Sequence, residues 1–434
     1  MTALRAPLLF AAMAGLLVLT GLLQSWSVAL VLVNLGLISA IMALGVNIQW
    51  GYAGLFSVGT MGFAALGGVA AVLVATPPVP EAWAAGGLGV LGAAGIAVVA
   101  AVAAIVAARR LKGSRWRLPT ILAFALMGYA GASALYVPAT DAIEAVDPAL
   151  TGYLGGFGLP IVLSWFVGAA LAAAAAALIG RIALGLRADY LAIATLGIAE
   201  IILAVIKHED WLARGVKNVT GLPRPVPFEV DLAQRPWVIE QAAAFGMTPA
   251  EAASILVKLA YAGLFVVVLA VLLWLAERAL RSPWGRMMRA IRDNEAAAAA
   301  LGKDVTARHR EAFVLGSAVI GLAGAMLVTL DGQFTPGGYQ PLRFTFLIWV
   351  MVIVGGSGNN WGAVLGGFVI WFFWVQTEPL GAFALDTLTA VLGDESALRA
   401  HLLDNAAYTR LMAMGVVLLL VLRFAPRGLI PERR

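Results

Sequence analysis

Residues 28–48 read VALVLVNLGLISAIMALGVNI, twenty-one positions without a charged side chain. A helix rises about 1.5 Å per residue, so this stretch reaches across the ~30 Å hydrocarbon core of a bilayer. In lipid its backbone polar groups can be satisfied only within a helix or a closed barrel, and the strict alternation of a barrel strand is missing. Comparable runs occupy 7–24, 52–75, 86–108, 118–137, 156–180, 189–206, 253–276, 311–330, 344–354 continuing into 362–376, and 406–422. Over the whole chain 62% of residues are hydrophobic and 12% charged. Soluble domains carry about 25% charged residues, so lipid must solvate much of this body. The expected fold is an all-α polytopic membrane protein of about 10–12 transmembrane helices. No separate soluble domain interrupts residues 1–434.

The run Leu8 to Leu23 follows Arg5 as a signal peptide would, but no small-residue cleavage site precedes the next apolar run, and it reads as a retained first span. The Gly-rich stretch 51–74 and the interruption GGSGNNWG at 355–362 are expected to be broken or re-entrant. A weak glycine echo between 54–68 and 355–367 points to an internal repeat.

Charge sets orientation. With 344–354 and 362–376 counted separately there are twelve crossings, and both termini fall on one side. That side carries 20 of the 29 Lys and Arg residues, including RRLKGSRWR at 109–117 and eight in 277–310. Cytoplasmic loops collect Lys and Arg, so both termini are expected in the cytoplasm. The same rule explains the net charge of +5 better than a nucleic-acid partner does. Loops 207–252 and 377–405 then face the periplasm and are too polar to span. Both are long enough to hold a short helix, and another helix should start at Pro249 with Thr248 as its N-cap.

Several chemistries are excluded. No cysteine is present, which rules out disulfides and thiolate ligands. His208, His309 and His401 lie far apart, and the consecutive His208, Glu209 and Asp210 would point apart on any one element, so no metal is expected. Gly302-Lys303 has alanine at 297 where a phosphate loop needs glycine, so the chain cannot cradle ATP itself. No cofactor is expected.

The segment SPWGRMMRAIRDNEAAAAALGKDVTARHR, 282–310, sits on the cytoplasmic side between two spans. Trp284, Met287, Met288 and Ile291 form one apolar stripe, with Arg286, Arg289, Arg292 and Asp293 on much of the remainder. An Ala-rich helix then stops at Gly302, and a second helix starts at Asp304 or Thr306. The pattern fits either a lever seated on a separate ATPase or an interfacial helix lying on headgroups.

Glu200 stands inside the apolar run ATLGIAEIILAVI. A carboxylate there costs about 2.5–3.5 kcal/mol on insertion scales, so it must face a polar cavity or a partner group. Arg187 and Asp189 read as a topological anchor and helix start. Asn34, Asn47 and Gln49 read as interhelical hydrogen-bonders, and the glycines of 51–68 chiefly as sites of close helix packing.

AIRDNEAAAAALGKDVTARHREAFVLGSAVIGLAGAM, 290–326, resembles the coupling segment of the LivH/LivM family of ABC permeases for branched-chain amino acids, with Arg292, Asp293, Asn294, Ala297, Ala298 and Gly302 in register. RADYLAIATLGIAEII (187–202), GYAGLFSVGTMGFAALG (51–67), residues 349–366 and LRFAPRGLIPE (422–432) are similar to further family segments, and the overall likeness is to LivM. GVKNVTGLPRP (215–225) resembles the family's Gly-rich loop but departs at Val216, Lys217 and Asn218. Residues 76–149 have no counterpart in that pattern and read as extra spans. The resemblance implies an ABC-importer permease fold in the bacterial inner membrane. It implies a homologous second permease subunit, two ATP-hydrolysing subunits on the cytoplasmic side and a periplasmic substrate-binding protein. The cargo would be leucine, isoleucine or valine, with urea and short amides in a sister branch. The expected ATPase-coupling residues are Trp284, Arg289, Arg292, Asp293, Asn294, Ala297, Ala298 and Gly302. The expected pathway residues are Gly54, Ser57, Gly59, Phe63, Thr195 and Glu200. Two rival classes fit less well. An ion-coupled secondary transporter needs more intramembrane carboxylates than Glu200, and a membrane enzyme needs a cluster of His, Asp or Glu that the sequence lacks.

Overall fold

The computed structural model describes residues 2–390 and 396–432. Ten helices among them are long and apolar enough to cross a membrane. In chain order the helices used below are α1 (Thr2–Leu23), α2 (Trp26–Val46), α3 (Thr60–Ala75), α4 (Pro80–Arg110), α5 (Arg117–Glu144), α6 (Val162–Ala183), α7 (Ala188–His208), α8 (Pro249–Arg281), α9 (Pro283–Asp293), α10 (Glu295–Ala300), α11 (Val305–Asp331), α12 (Pro341–Gly355), α13 (Asn360–Thr389) and α14 (Thr409–Phe424). At 16 and 15 residues, α3 and α12 are too short to span alone. Each adjoins a break in the chain. Helix α2 unwinds into a wider π-turn at Asn47–Tyr52 before the chain opens at 53–59, and α12 is followed by the opening at 356–359. The Gly-rich stretches are thus broken, as their composition implied, and the 52–75 run divides between the end of α2 and all of α3.

The core is where α2, α3, α11 and α12 meet, with Ile38, Ile41, Phe63, Ile320, Met326 and Val350 buried together. In lipid no hydrophobic driving force brings helices together, so close backbone approach must do so. A methyl group at Gly67 would sit 1.8 Å from the Gly321 carbonyl oxygen, and one at Gly324 would sit 2.0 Å from that of Ala64. Polar side chains lock the same contacts. The Gln49 amide donates to the Phe313 carbonyl at 3.1 Å and to Ser317 at 2.9 Å, and Asn34 donates to the Lys258 carbonyl at 3.0 Å.

The stretch 76–149 forms a hairpin, α4 against α5, at the periphery. It has its own small cluster (Ala82, Val90, Ala139, Ile143, Leu154) apart from the main core. It is moored by Tyr136 and Trp211, both hydrogen-bonded to Glu209, and by a bridge pairing Pro78 with Gly155. In 207–252 a two-residue strand, Val219–Thr220, pairs antiparallel with Gln333–Phe334. The short helix Pro236–Ala244 packs on the start of α8, where Thr248 and Glu251 form a reciprocal capping box.

The expectation that 377–405 is a loop needs correction. Helix α13 continues through Glu378 and Pro379 to Thr389. Glu378 is paired with Arg410, whose guanidinium stacks 5.0 Å from the centre of the Trp374 ring, so the charge that marked the segment as loop is neutralised within the helix pair. Residues 391–395 of that stretch lie outside the described residues, and 397–404 form a short helix.

Candidate functional site

Ser282 ends α8 and caps α9, accepting the Gly285 amide at 3.4 Å, so the chain turns sharply from span to lever. Met288 and Ile291 of the stripe are buried, and Trp284 donates from its indole nitrogen to Glu311 at 3.0 Å. The expected single Ala-rich helix is divided. Asn294 adopts an extended conformation (φ −156°) and its side chain caps α10 by accepting the Ala297 amide at 2.9 Å. The short polar side chain of Asn competes with the helix for that amide, which is why the break falls there. Gly302 closes α10 at φ +76°, a left-handed geometry, and Asp304 caps α11 through the Ala307 amide at 2.9 Å.

The eight expected coupling residues therefore separate into two sets. Arg292 does not project outward. It donates to the Gly51 carbonyl and, at 2.9 Å, to Glu432 of the C-terminal segment, its side chain 21% and that of Glu432 18% exposed. Arg289 turns back to the Leu280 carbonyl at 3.5 Å, Trp284 is partly buried against the core, and Ala298 is buried beneath α10. The outward set is Asp293, Asn294, Ala297 and Gly302. Leu301 belongs with it at 80% exposed, and sequence reasoning missed it because it ends a run of five alanines, 296–300, that shows no apolar periodicity.

Behind the lever lies a polar network that joins both helix breaks. The Asn47 side-chain oxygen accepts the Gly358 amide at 2.8 Å, and its amide donates to Asn360 at 3.1 Å. The Tyr52 hydroxyl also donates to Asn360, which donates in turn to Glu277 near the end of α8 at 3.0 Å. The C-terminal segment runs beside the α12 break, with the Leu429 amide on the Val354 carbonyl and the Ile430 amide on the Gly355 carbonyl, both at 2.8 Å. Asn359 holds the Pro431 carbonyl at 3.0 Å. The signal for this network was the Asn, Tyr and Gly content at both breaks, and the sequence carried no indication that the breaks touch each other.

Of the expected pathway residues, four gather along one line. Gly54, at φ +72°, lies against Arg292, where a methyl would be 3.3 Å from the arginine Cγ. Ser57 is buried and its carbonyl accepts the Trp349 indole at 3.1 Å. Gly59 packs on the Thr195 backbone, and the Thr195 hydroxyl accepts the Val58 amide at 3.0 Å. These residues fasten the opened chain at 53–59 to α7 and α12. Phe63 is instead core, edge-on to Phe313 at 5.6 Å between ring centres. Glu200 is on the opposite, open side of α7 with Ile193 and Ile201, and has no hydrogen bond or ion pair among the described residues. The six thus do not line one passage. The ring cluster of Trp50, Phe56 and Trp349, with centres 4.7 Å apart along each contact, flanks the opened chain and was not anticipated.

The sequence that builds this multi-pass arrangement matches a family model, the permease component of branched-chain amino acid transport systems, over residues 120–422. The chain belongs to that family. It is 26% identical over 311 residues to the high-affinity branched-chain amino acid transport system permease protein LivM of Escherichia coli (strain K12), covering 71% of this chain and 66% of that one. LivM of Salmonella typhimurium matches to the same extent, and a probable LivM of Methanocaldococcus jannaschii is 27% identical over 248 residues, 57% of this chain and 61% of its own. The match thus spans just under two thirds of the length of these curated relatives. No solved structure matches the chain. The range of the family model takes in α5, the second helix of the peripheral hairpin, and begins after α3 and α4.

Proposed function

We propose that this chain is a membrane-spanning subunit of an ABC importer that carries branched-chain amino acids across a bacterial inner membrane, with both termini in the cytoplasm. The carrying observation is the latch. Arg292 binds the α9 lever at once to the carbonyl of Gly51, at the α2 break, and to Glu432, which is pinned beside the α12 break. A push on α9 and α10 from a docked ATPase is therefore delivered to two discontinuities in the membrane body rather than dissipated in a loop. Two separate ATPase subunits supply the push, because the chain has no phosphate loop of its own. Movement of the breaks shifts the opened chain at 53–59 and the α7 wall fastened to it.

The open face of α7 meets a second, homologous permease subunit, and a periplasmic binding protein delivers cargo to their junction. Glu200 supports this placement, since an unpaired carboxylate facing acyl chains is costly whereas a polar subunit interface accommodates it. Urea and short amides are the alternative cargo of the same machinery, and the Val216, Lys217 and Asn218 loop is where this chain departs from the family pattern.

The test is uptake of labelled leucine into proteoliposomes holding the chain with its companion permease, ATPases and binding protein. Uptake should require ATP and survive a protonophore. The double substitution Arg292→Glu with Gly302→Pro should abolish it while the subunit remains in the membrane. Protonophore-sensitive uptake without ATPase subunits would establish an ion-coupled carrier instead.

A further inference from the structure

Two adjoining recesses lie at the lever end of the bundle, where the last turns of α8 meet the start of α13. The first, of about 520 Å³, has an apolar floor of Ala270, Leu273, Trp274 and Trp361. Glu277, Arg278 and Arg281 line the same recess one to two helical turns nearer the lever. The second, of about 320 Å³, shares Glu277, Arg281 and Trp361 with the first and adds Arg289 of α9, Glu432 and Ala6 of α1. Together they make one groove, apolar at one end and charged at the other. Positions 270, 274, 277, 278 and 281 follow helical spacing, so they belong to one face of α8. Trp274 is 59% and Trp361 49% exposed. Tryptophans so placed mark the level at which head groups meet acyl chains. The apolar end of the groove therefore lies among acyl chains and the arginine end among head groups.

The charges at that end do not cancel. Both carboxylates are already answered, Glu432 by Arg292 at 2.9 Å and Glu277 by the Asn360 amide at 3.0 Å and, more loosely, by Arg281 at 3.4 Å. Arg278 has the Trp274 ring, 5.6 Å from its guanidinium carbon to the ring centre, and Arg289 has the Leu280 carbonyl at 3.5 Å. Neither has a carboxylate partner among the described residues. The Arg281 side chain is 83% exposed. The groove thus offers guanidinium donors to an anion beside an apolar furrow. A metal cation would meet an excess of positive charge. A soluble phosphate would engage the arginines and leave the furrow unfilled. A zwitterionic lipid would bring an ammonium among the guanidiniums. An anionic glycerophospholipid supplies a phosphodiester for charge-assisted hydrogen bonds and an acyl chain for the furrow. Basic pockets between transmembrane helices hold such head groups in the same way.

We propose that this groove holds one anionic glycerophospholipid of the lever-side leaflet, with its phosphodiester on Arg278, Arg281 and Arg289 and an acyl chain along Trp274 and Trp361. The head group then sits against Glu277 and Glu432, so the lipid braces the end of α8 beside the latch.

The experiment titrates the purified full-length chain, in neutral detergent, with dioleoylphosphatidylglycerol and separately with dioleoylphosphatidylcholine, and counts bound lipid by native mass spectrometry. One phosphatidylglycerol per chain should bind at least tenfold more tightly than phosphatidylcholine. Arg278→Gln with Arg289→Gln should bring the two lipids to within about twofold of each other. Arg109→Gln with Arg110→Gln, at the lever-side end of α4, should leave the preference intact. Ala270→Trp, which fills the furrow, should weaken both lipids. On the unaltered chain, glycerophosphoglycerol, the same head group without acyl chains, and inorganic phosphate should displace the lipid only at concentrations at least a hundredfold above those at which free phosphatidylglycerol does. This competition decides the matter even if the Arg278 and Arg289 double variant fails to fold. Equal binding of the two lipids, or equal loss of preference from both arginine pairs, would overturn the proposal in favour of general attraction to a basic membrane face. Displacement by inorganic phosphate at lipid-like concentrations would overturn it in favour of a soluble-anion site. If the double variant kept its lipid preference and lost co-purifying ATPase subunits, the arginines would belong to a protein contact instead.

Discussion

Arg292 ties three separated segments together, the lever, the α2 break and the C-terminal segment. Its guanidinium satisfies a main-chain carbonyl freed where the helix widens into the π-turn at Asn47–Tyr52, and it neutralises Glu432. Arg292→Met would leave both acceptors without their donor. Hydrogen bonds to charged groups are worth about 1.5–3 kcal/mol, and side chains about one-fifth exposed warrant a discount for screening. A loss of ~1 kcal/mol in thermal stability is expected, with ATP-driven uptake falling about tenfold. A double-mutant cycle with Glu432→Gln should return a coupling energy of about 0.5–2 kcal/mol, and additivity of the two changes would show that the pair is not a latch. Thr248 is a local counterpart. Its side chain accepts the Glu251 amide while the Glu251 carboxylate accepts the Thr248 amide at 2.9 Å. Thr248→Ala should cost about 1 kcal/mol and speed hydrogen exchange at residues 249–253 without touching uptake.

At the scale of elements, the lever acts through being two helices and not one. Helix α9 is tied inward by its stripe and by Arg292, whereas α10 buries Ala298 and turns its other alanines and Leu301 to solvent. A contact with another protein would therefore be made by α10 and by the outward edge of α9. Leu301→Asp should leave the folded subunit intact, since the side chain is 80% exposed, yet remove ATP-driven uptake and co-purification of the ATPase subunits. Normal uptake in that variant would place the docking surface elsewhere. Gly302, at φ +76°, sets the direction in which α11 leaves. Gly302→Ala imposes a left-handed alanine, at a cost of about 1 kcal/mol, and should lower uptake by misaiming α10 without removing any contact.

Across the whole molecule, the breaks at 53–59 and 356–359 meet at the end of the bundle that carries the lever, and a cavity of about 360 Å³ lined by Asp331 lies toward the opposite end. The α4–α5 hairpin belongs to neither. It has its own small cluster, and the chain on either side of it is already close, with the Gly158 amide on the Thr76 carbonyl at 2.9 Å. Replacing residues 80–152 by a short Gly/Ser linker should therefore yield a chain that still inserts and elutes as a folded species, with an unfolding temperature close to that of the full chain. Aggregation of the shortened chain would show that the hairpin is part of the core.

Much of the architecture was legible in the order of residues because lipid imposes a simple rule. A charge-free run such as 28–48 has no stable alternative to a helix, glycine clusters in apolar runs mark breaks or close crossings, and caps such as Thr248 and Asp304 announce themselves locally. The lever was legible for the same reason, since amphipathic periodicity and a stop at Gly302 are properties of neighbours in sequence. What the tertiary structure decided was direction and company. Whether Arg292 faced an ATPase or a carbonyl 241 positions away, whether Thr195 or Glu200 was the one turned toward the bundle, and whether Glu378 made a loop or a paired charge inside α13 all depended on contacts between distant segments. Hydrophobic periodicity states that a side chain is buried or exposed, but a polar group in a membrane finds whichever partner the packing brings to it, and that partner has no signature in the local sequence.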